Sequence, residues 1–146
     1  MRTVADARLL RERLGDGTVK SVTVIGGSMV GIKIVELCQE AGLACTLADM
    51  AERIFPLAAF PDVSAEIERR LMEKGVKLRF GSAVTSAEEM ADHVTTVFAD
   101  GEPVVSDLLV LCIGTRARTA LAREAGLEVG RGIVVNDSME TSVPGI

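Results

Sequence analysis

The chain has 146 residues, 48% of them apolar and 25% charged, with 16 basic and 21 acidic side chains and a net charge of −5 at pH 7. That length supports one domain, residues 1–146, with a sizeable core. The acidic balance and the lack of a basic stretch argue against nucleic-acid binding, and with no Trp and no Tyr, platforms for stacking bases are scarce.

Leu9, Leu10 and Leu14 recur at helical spacing between Asp6 and Leu14, which predicts an amphipathic opening helix stopped at Gly15-Asp16-Gly17. A buried strand follows at Val22-Thr23-Val24-Ile25, then the turn Gly26-Gly27-Ser28, then a helix from about Met29 to Ala41. Val30, Ile34, Leu37, Cys38 and Ala41 form its apolar stripe, and Gly42 ends it. A second strand runs from Leu43 to Asp49. After a loop carrying Pro56 and Pro61, either Asp62 or Ser64 caps a helix through Lys74, with Val63, Ile67 and Leu71 facing the core. Gly75 closes that helix and Val76 to Phe80 make strand three, which completes β-α-β-α-β. Residues Val84 to Val105 read as short antiparallel strands with a turn at Asp100-Gly101. Asp107 to Ile113 is a continuous apolar run, hence a central buried strand. A short helix from Arg118 to Ala125, closed by Gly126, and a last strand at Ile133 to Val135 complete the chain.

This order predicts an α/β, Rossmann-like three-layer fold with a parallel sheet and a small antiparallel β-meander. The strand, glycine turn and helix at Val22 to Gly31, followed by Asp49 at the end of the next strand, have the layout of a dinucleotide-binding unit. Gly26 permits the tight turn, and Gly31 lets the helix lie close on the strand. Backbone N–H groups of the first helical turn face the diphosphate, aided by the helix dipole. Asp49 accepts hydrogen bonds from the adenosine ribose. Ser28 stands where the usual G-x-G-x-x-G pattern has its middle glycine. Its hydroxyl can donate to a phosphate oxygen, and its bulk can crowd the ligand.

Cys38, Cys45 and Cys112 are widely spaced and read as small buried apolar residues. His93 has no cysteine or histidine neighbour, so neither a metal site nor a catalytic dyad is expected. The longest apolar run, Leu108 to Ile113, is too short to span a bilayer, and the first six residues lack the apolar core of a signal peptide. No membrane association and a cytoplasmic location are expected.

Taken together, these segments resemble the NADH-binding domain of the FAD-dependent pyridine nucleotide-disulfide oxidoreductases. The matching stretches are Val24-Ile25-Gly26-Gly27-Ser28-Met29-Val30-Gly31, Thr46-Leu47-Ala48-Asp49, Arg53-Ile54-Phe55-Pro56, Gly75-Val76, Cys112-Ile113-Gly114-Thr115-Arg116, Gly130 to Asn136, and Thr141 to Ile146. The resemblance implies an NAD(H) site made by Gly26, Gly27, Ser28, Met29, Val30, Gly31, Lys33, Asp49, Ile113 and Gly114, with no catalytic side chain and no metal. It also implies an FAD held by another domain of a longer enzyme, so that this chain alone would be inactive. Met29 stands where many members carry an aromatic over the nicotinamide pocket, and Lys33 where they usually carry a glutamate. Lys33 is either a residue that repels oxidised nicotinamide or a solvated helix lysine. A non-enzymatic NAD(H) sensor and a domain that keeps the fold without binding are the competing readings.

Overall fold

Strand β1 (Ser21–Ile25) sets up the architecture: Val22 and Val24 point to one face, Thr23 and Ile25 to the other, and all four are buried. The computed structural model describes residues 3–146. Met1 and Arg2, part of the segment read for a leader, lie outside the described residues. The chain divides into two compact units, one ending at Ile113 and one covering Gly114–Ile146.

In the first unit, β1 pairs in parallel with β2 (Ala44–Ala48) on one side and with β7 (Leu108–Leu111) on the other. β2 pairs in parallel with β3 (Lys77–Arg79), so the order is β3-β2-β1-β7. Helix α2 (Met29–Glu40) connects β1 to β2, and α3 (Pro61–Glu73) connects β2 to β3. Val22, Val24, Cys45, Leu47 and Val110 pack against Ile34, Val35 and Cys38 of α2. Leu10 and Leu14 of α1 (Val4–Gly15), with Ile67 and Leu71 of α3, close the margins of this layer. On the opposite face, Ile25 and Ala48 pack with Phe98, Val84, Val104 and Leu109. That cover is a three-stranded antiparallel meander of β4 (Val84–Glu89), β5 (Val94–Phe98) and β6 (Val104–Ser106). The three layers are therefore helices, parallel sheet and meander, as the sequence predicts.

Two side chains tie the strands together, Asp107 within the parallel sheet and Arg79 from the sheet to the meander. Asp107 Oδ2 accepts from the Lys20 and Ser21 backbone N–H groups, both at 2.8 Å, and from Ser21 Oγ at 3.0 Å, so β7 starts level with β1. These donors hold the Asp107 carboxyl below its ordinary range. Arg79, ending β3, stacks over the Phe98 ring at 3.9 Å and donates to the Asp100 and Glu102 carbonyls in the meander's turn.

Several expectations need correction. β7 is an edge strand of the sheet rather than a central one. Its apolar run is satisfied by facing helices with Val110 and the meander with Leu109, while Leu111 is exposed. Neither Asp62 nor Ser64 caps α3: Phe60 holds the N-cap position without a side-chain bond and Pro61 opens the helix. Ser64 is buried one turn in, and Val63 is exposed. Leu9 and Val30 are exposed, and the stripe of α2 is centred instead on Gly31, Ile34, Val35 and Cys38.

The second unit carries α4 (Ala120–Glu124), which ends at Gly126 with φ of 79°, and buries Leu127. The expected strand at Ile133 to Val135 is only an isolated bridge between Val129 and Ile133. The Asn136 carboxamide then closes a tight loop: its oxygen accepts from the N–H groups of Ser138 and Glu140.

Candidate functional site

The glycine turn lies at the carboxyl ends of β1 and β7, where the strand order reverses and open α/β sheets bind ligands. Gly26 leaves β1 with φ of 115°, donating its N–H to the Ala48 carbonyl at 2.7 Å. A Cβ on Gly26 would sit 2.4 Å from the Cys112 carbonyl oxygen, and one on Gly31 would sit 1.9 Å from the Gly26 oxygen. Both glycines are thus required by close backbone approach. Cys112 is buried, and burial pushes its thiol pKa up, so this cysteine stays protonated and is no nucleophile at neutral pH.

Ser28 is the N-cap of α2. Its Oγ accepts from the Gly31 N–H at 3.3 Å and donates to the Cys112 carbonyl at 3.3 Å. The hydroxyl proton that was available in sequence terms for a phosphate is directed into the protein. Capping leaves the first-turn N–H groups of Met29 and Val30 without intrahelical acceptors.

Asp49 also does more than the sequence suggests. Its Oδ2 accepts from the Gly27 N–H at 2.6 Å and its Oδ1 from the Ala51 N–H at 2.9 Å. The carboxylate therefore stands fixed at the lip of the glycine turn, and Gly27 has no N–H left for a diphosphate. Gly27 is enclosed further: a Cβ there would meet Phe80 Cε1 at 3.2 Å, Asp49 Oδ2 at 3.5 Å and Ile54 Cα at 3.6 Å.

Met29, Val30 and Lys33 line an apolar cavity of about 850 Å³ between α1 and α2, together with Leu10, Leu14 and Leu37. Lys33 is exposed and its Nζ bonds to Glu36 Oε2 at 2.6 Å, which raises the lysine pKa. Ile113 is exposed just beyond β7, and Gly114, nominated beside it, begins the second unit with φ of 84°. The structure thus brings Gly26, Ser28 and Gly31 together around Cys112, and Gly27 together with Asp49. Sequence reasoning gave no role to Phe55, Glu68 or Phe80, which surround Gly27 directly or through Ile54. The motif Arg53-Ile54-Phe55-Pro56 was the only signal pointing to that side.

A family model described as pyridine nucleotide-disulphide oxidoreductase matches residues 1–146. The chain belongs to this family. Among relatives, it is 36% identical to the putidaredoxin reductase of Pseudomonas putida over 148 residues, covering 99% of this chain and 34% of that protein. The ferredoxin reductase for the CYP199A2 system of Rhodopseudomonas palustris superposes with a TM-score of 0.86 at 28% identity, covering 97% of this chain and 35% of that one. The water-forming NADH oxidase of Lactobacillus brevis, solved bound to NADH, gives 0.84 at 29% identity over 97% of this chain and 31% of that one. The chain spans about a third of the length of the curated relatives it matches. It combines a parallel sheet with a separate antiparallel three-stranded sheet, and this fold superposes on those solved structures over 97% of the chain. Among the described residues no helix is long and apolar enough to cross a membrane, and no group of three or more His, Cys, Asp or Glu could hold a metal.

Proposed function

We propose that this chain binds NAD(H) and presents the nicotinamide to a flavin held outside these 146 residues. The observation that carries the reading is the pairing of the Ser28-capped α2 N-terminus with a fixed Asp49 carboxylate on either side of Gly27. The donor set suits the cofactor: the N–H groups of Ser28, Met29 and Val30, with the helix dipole, for the diphosphate, and a carboxylate for the ribose. Gly26 and Gly31 keep the α2 N-terminus against the end of β1. Ile113, beyond the end of β7, borders the nicotinamide side, with Gly114 following it. Hydride transfer is chemistry that NADH itself supplies when bound; the chain's residues bind and orient it. Cys112, buried with a raised pKa, takes no part as a nucleophile. Lys33 is held by Glu36 and acts on the surface of α2.

The Asp49 carboxylate repels a 2′-phosphate, so NADH is preferred over NADPH. Arg53, four residues on, does not offset this charge, because its guanidinium is committed to the Ala59 and Pro56 carbonyls and to Ser64 Oγ, all at 2.8 Å. Calorimetric titration of the chain with NADH and NADPH tests the reading. Tighter binding of NADPH, or no binding of either at millimolar concentration, would overturn it.

A further inference from the structure

The residue at the centre of the site, Gly27, is gripped on both sides. Asp49 takes its N–H, and its carbonyl accepts from the Phe55 N–H at 3.2 Å. The second grip has a consequence for the next residue. The Gly27 carbonyl and the Ser28 N–H belong to one planar trans peptide, so they point in opposite directions. Fixing the carbonyl on Phe55 turns the Ser28 N–H away from Phe55. A flip of this peptide would exchange a donor for a carbonyl oxygen at the mouth of the site, where an anion is to be bound.

Phe55 can make this bond only because of how its segment is held. Its φ is 50°, the left-handed region that a bulky residue adopts only when its surroundings impose it. Ile54 is fully buried, and its N–H donates to Glu68 Oε1 of α3 at 2.9 Å. Its carbonyl accepts from the buried Ser64 Oγ at 2.8 Å. Arg53 ties the preceding turn to Pro56, Ala59 and Ser64. One side of α3, through Glu68 and Ser64, therefore holds both polar groups of Ile54 and so sets the Phe55 N–H.

We infer that Glu68 is a positioning residue for the cofactor's diphosphate: through Ile54 and Phe55 it keeps the Gly27–Ser28 peptide turned so that the Ser28 N–H, and not the Gly27 oxygen, faces the ligand. The inference rests on the NAD(H) reading above. Glu68 touches no cofactor in this scheme.

The test uses the full chain and two variants, Glu68→Ala and Glu68→Gln. Glu68→Ala leaves the Ile54 N–H without its acceptor, and the Kd for NADH should rise about tenfold, the size of one lost hydrogen bond to a charged group. ADP-ribose, which carries the diphosphate without the nicotinamide, should weaken by the same factor. Glu68→Gln keeps an acceptor oxygen and should restore binding to within about threefold of the starting protein. A ligand-independent readout separates positioning from general destabilisation. In Glu68→Ala the amide resonances of Gly27 and Ser28 should shift, while those of Val94–Phe98 in the meander stay in place. Unchanged NADH affinity in Glu68→Ala, or Glu68→Gln as weak as Glu68→Ala, would overturn the inference while leaving the NAD(H) reading intact. Failure of the starting protein to bind NADH would overturn both.

Discussion

Replacing Gly26 with alanine tests the geometry of the site at its tightest point. Two separate costs add. The first is backbone strain, because φ of 115° is one that side-chain-bearing residues rarely adopt; residues held in such regions cost about 1–3 kcal/mol. The second is a clash. The new Cβ would lie 2.4 Å from the Cys112 oxygen and 2.7 Å from its carbonyl carbon, both backbone atoms, where contact begins near 3.4 Å. Neither partner moves freely: the Cys112 N–H is bonded to the Ile25 carbonyl at 2.7 Å, and the Gly26 N–H to the Ala48 carbonyl. Overpacking of this kind costs about 1–3 kcal/mol or more. The sum, about 2–6 kcal/mol, is a large part of the stability of about 5–15 kcal/mol that a domain has. With an m-value near 2 kcal/mol/M in urea, the unfolding midpoint should fall by about 1–3 M. Gly114→Ala is the internal control, since its φ of 84° imposes strain but a Cβ there meets nothing within 4 Å. It should cost only about 1–2 kcal/mol. If the two variants shift the midpoint equally, the close approach of β1 and β7 at the crevice is wrong.

Two further predictions concern the ties made by Asp107 and Arg79. Asp107 has a folded-state pKa depressed by three donors, so its contribution is present above the unfolded value and lost as pH falls through the folded one. As pH falls below about 4 the starting protein should therefore lose stability more steeply than Asp107→Asn, which should already be weaker at pH 7 by about 1 kcal/mol after discounting for exposure; parallel curves would refute this. Arg79→Lys keeps the charge but loses the planar fork that reaches two carbonyls above Phe98, so hydrogen exchange at the Asp100–Glu102 turn should speed while β1 stays protected. Unchanged exchange there would show that the turn holds itself.

What the sequence makes legible is what is local. The buried alternation of β1, the glycines at 26 and 31, the stop at Gly42 and the meander's turn at Asp100-Gly101 each follow from a few adjacent residues. What escapes it depends on partners far along the chain. Ser28 donates to a carbonyl 84 residues away, and Ile54 is held by a glutamate 14 residues on, in a helix whose apolar spacing points only to Val63, Ile67 and Leu71. Ser64 shows the limit of hydrophobic patterning. It occupies the most buried position of α3 and displaces Val63 to the surface, because Arg53 and Ile54 need a hydroxyl there. Ile133 to Val135 shows the reverse: a β-branched run with no sheet to join is left exposed and forms one bridge.

The double use of Asp49 decides how its substitution must be interpreted. Asparagine has one acceptor oxygen and an amide that cannot accept, so Asp49→Asn loses either the Gly27 or the Ala51 hydrogen bond along with the charge. Loosening Gly27 weakens NADH and NADPH alike, since both carry the same diphosphate. Removing the charge relieves the repulsion of the NADPH 2′-phosphate, by about 1–4 kcal/mol per unit charge at 4 Å in a partly exposed site, and weakens the acceptor for the ribose hydroxyls of NADH, so both effects narrow the preference. Absolute affinity therefore mixes the two roles, and the ratio of the two dissociation constants isolates one. The NADH preference should shrink by about fivefold or more in Asp49→Asn, with NADH itself bound more weakly. A common loss with the ratio unchanged would mean that Asp49 serves only to hold the glycine turn, and that selectivity at the ribose lies with other residues.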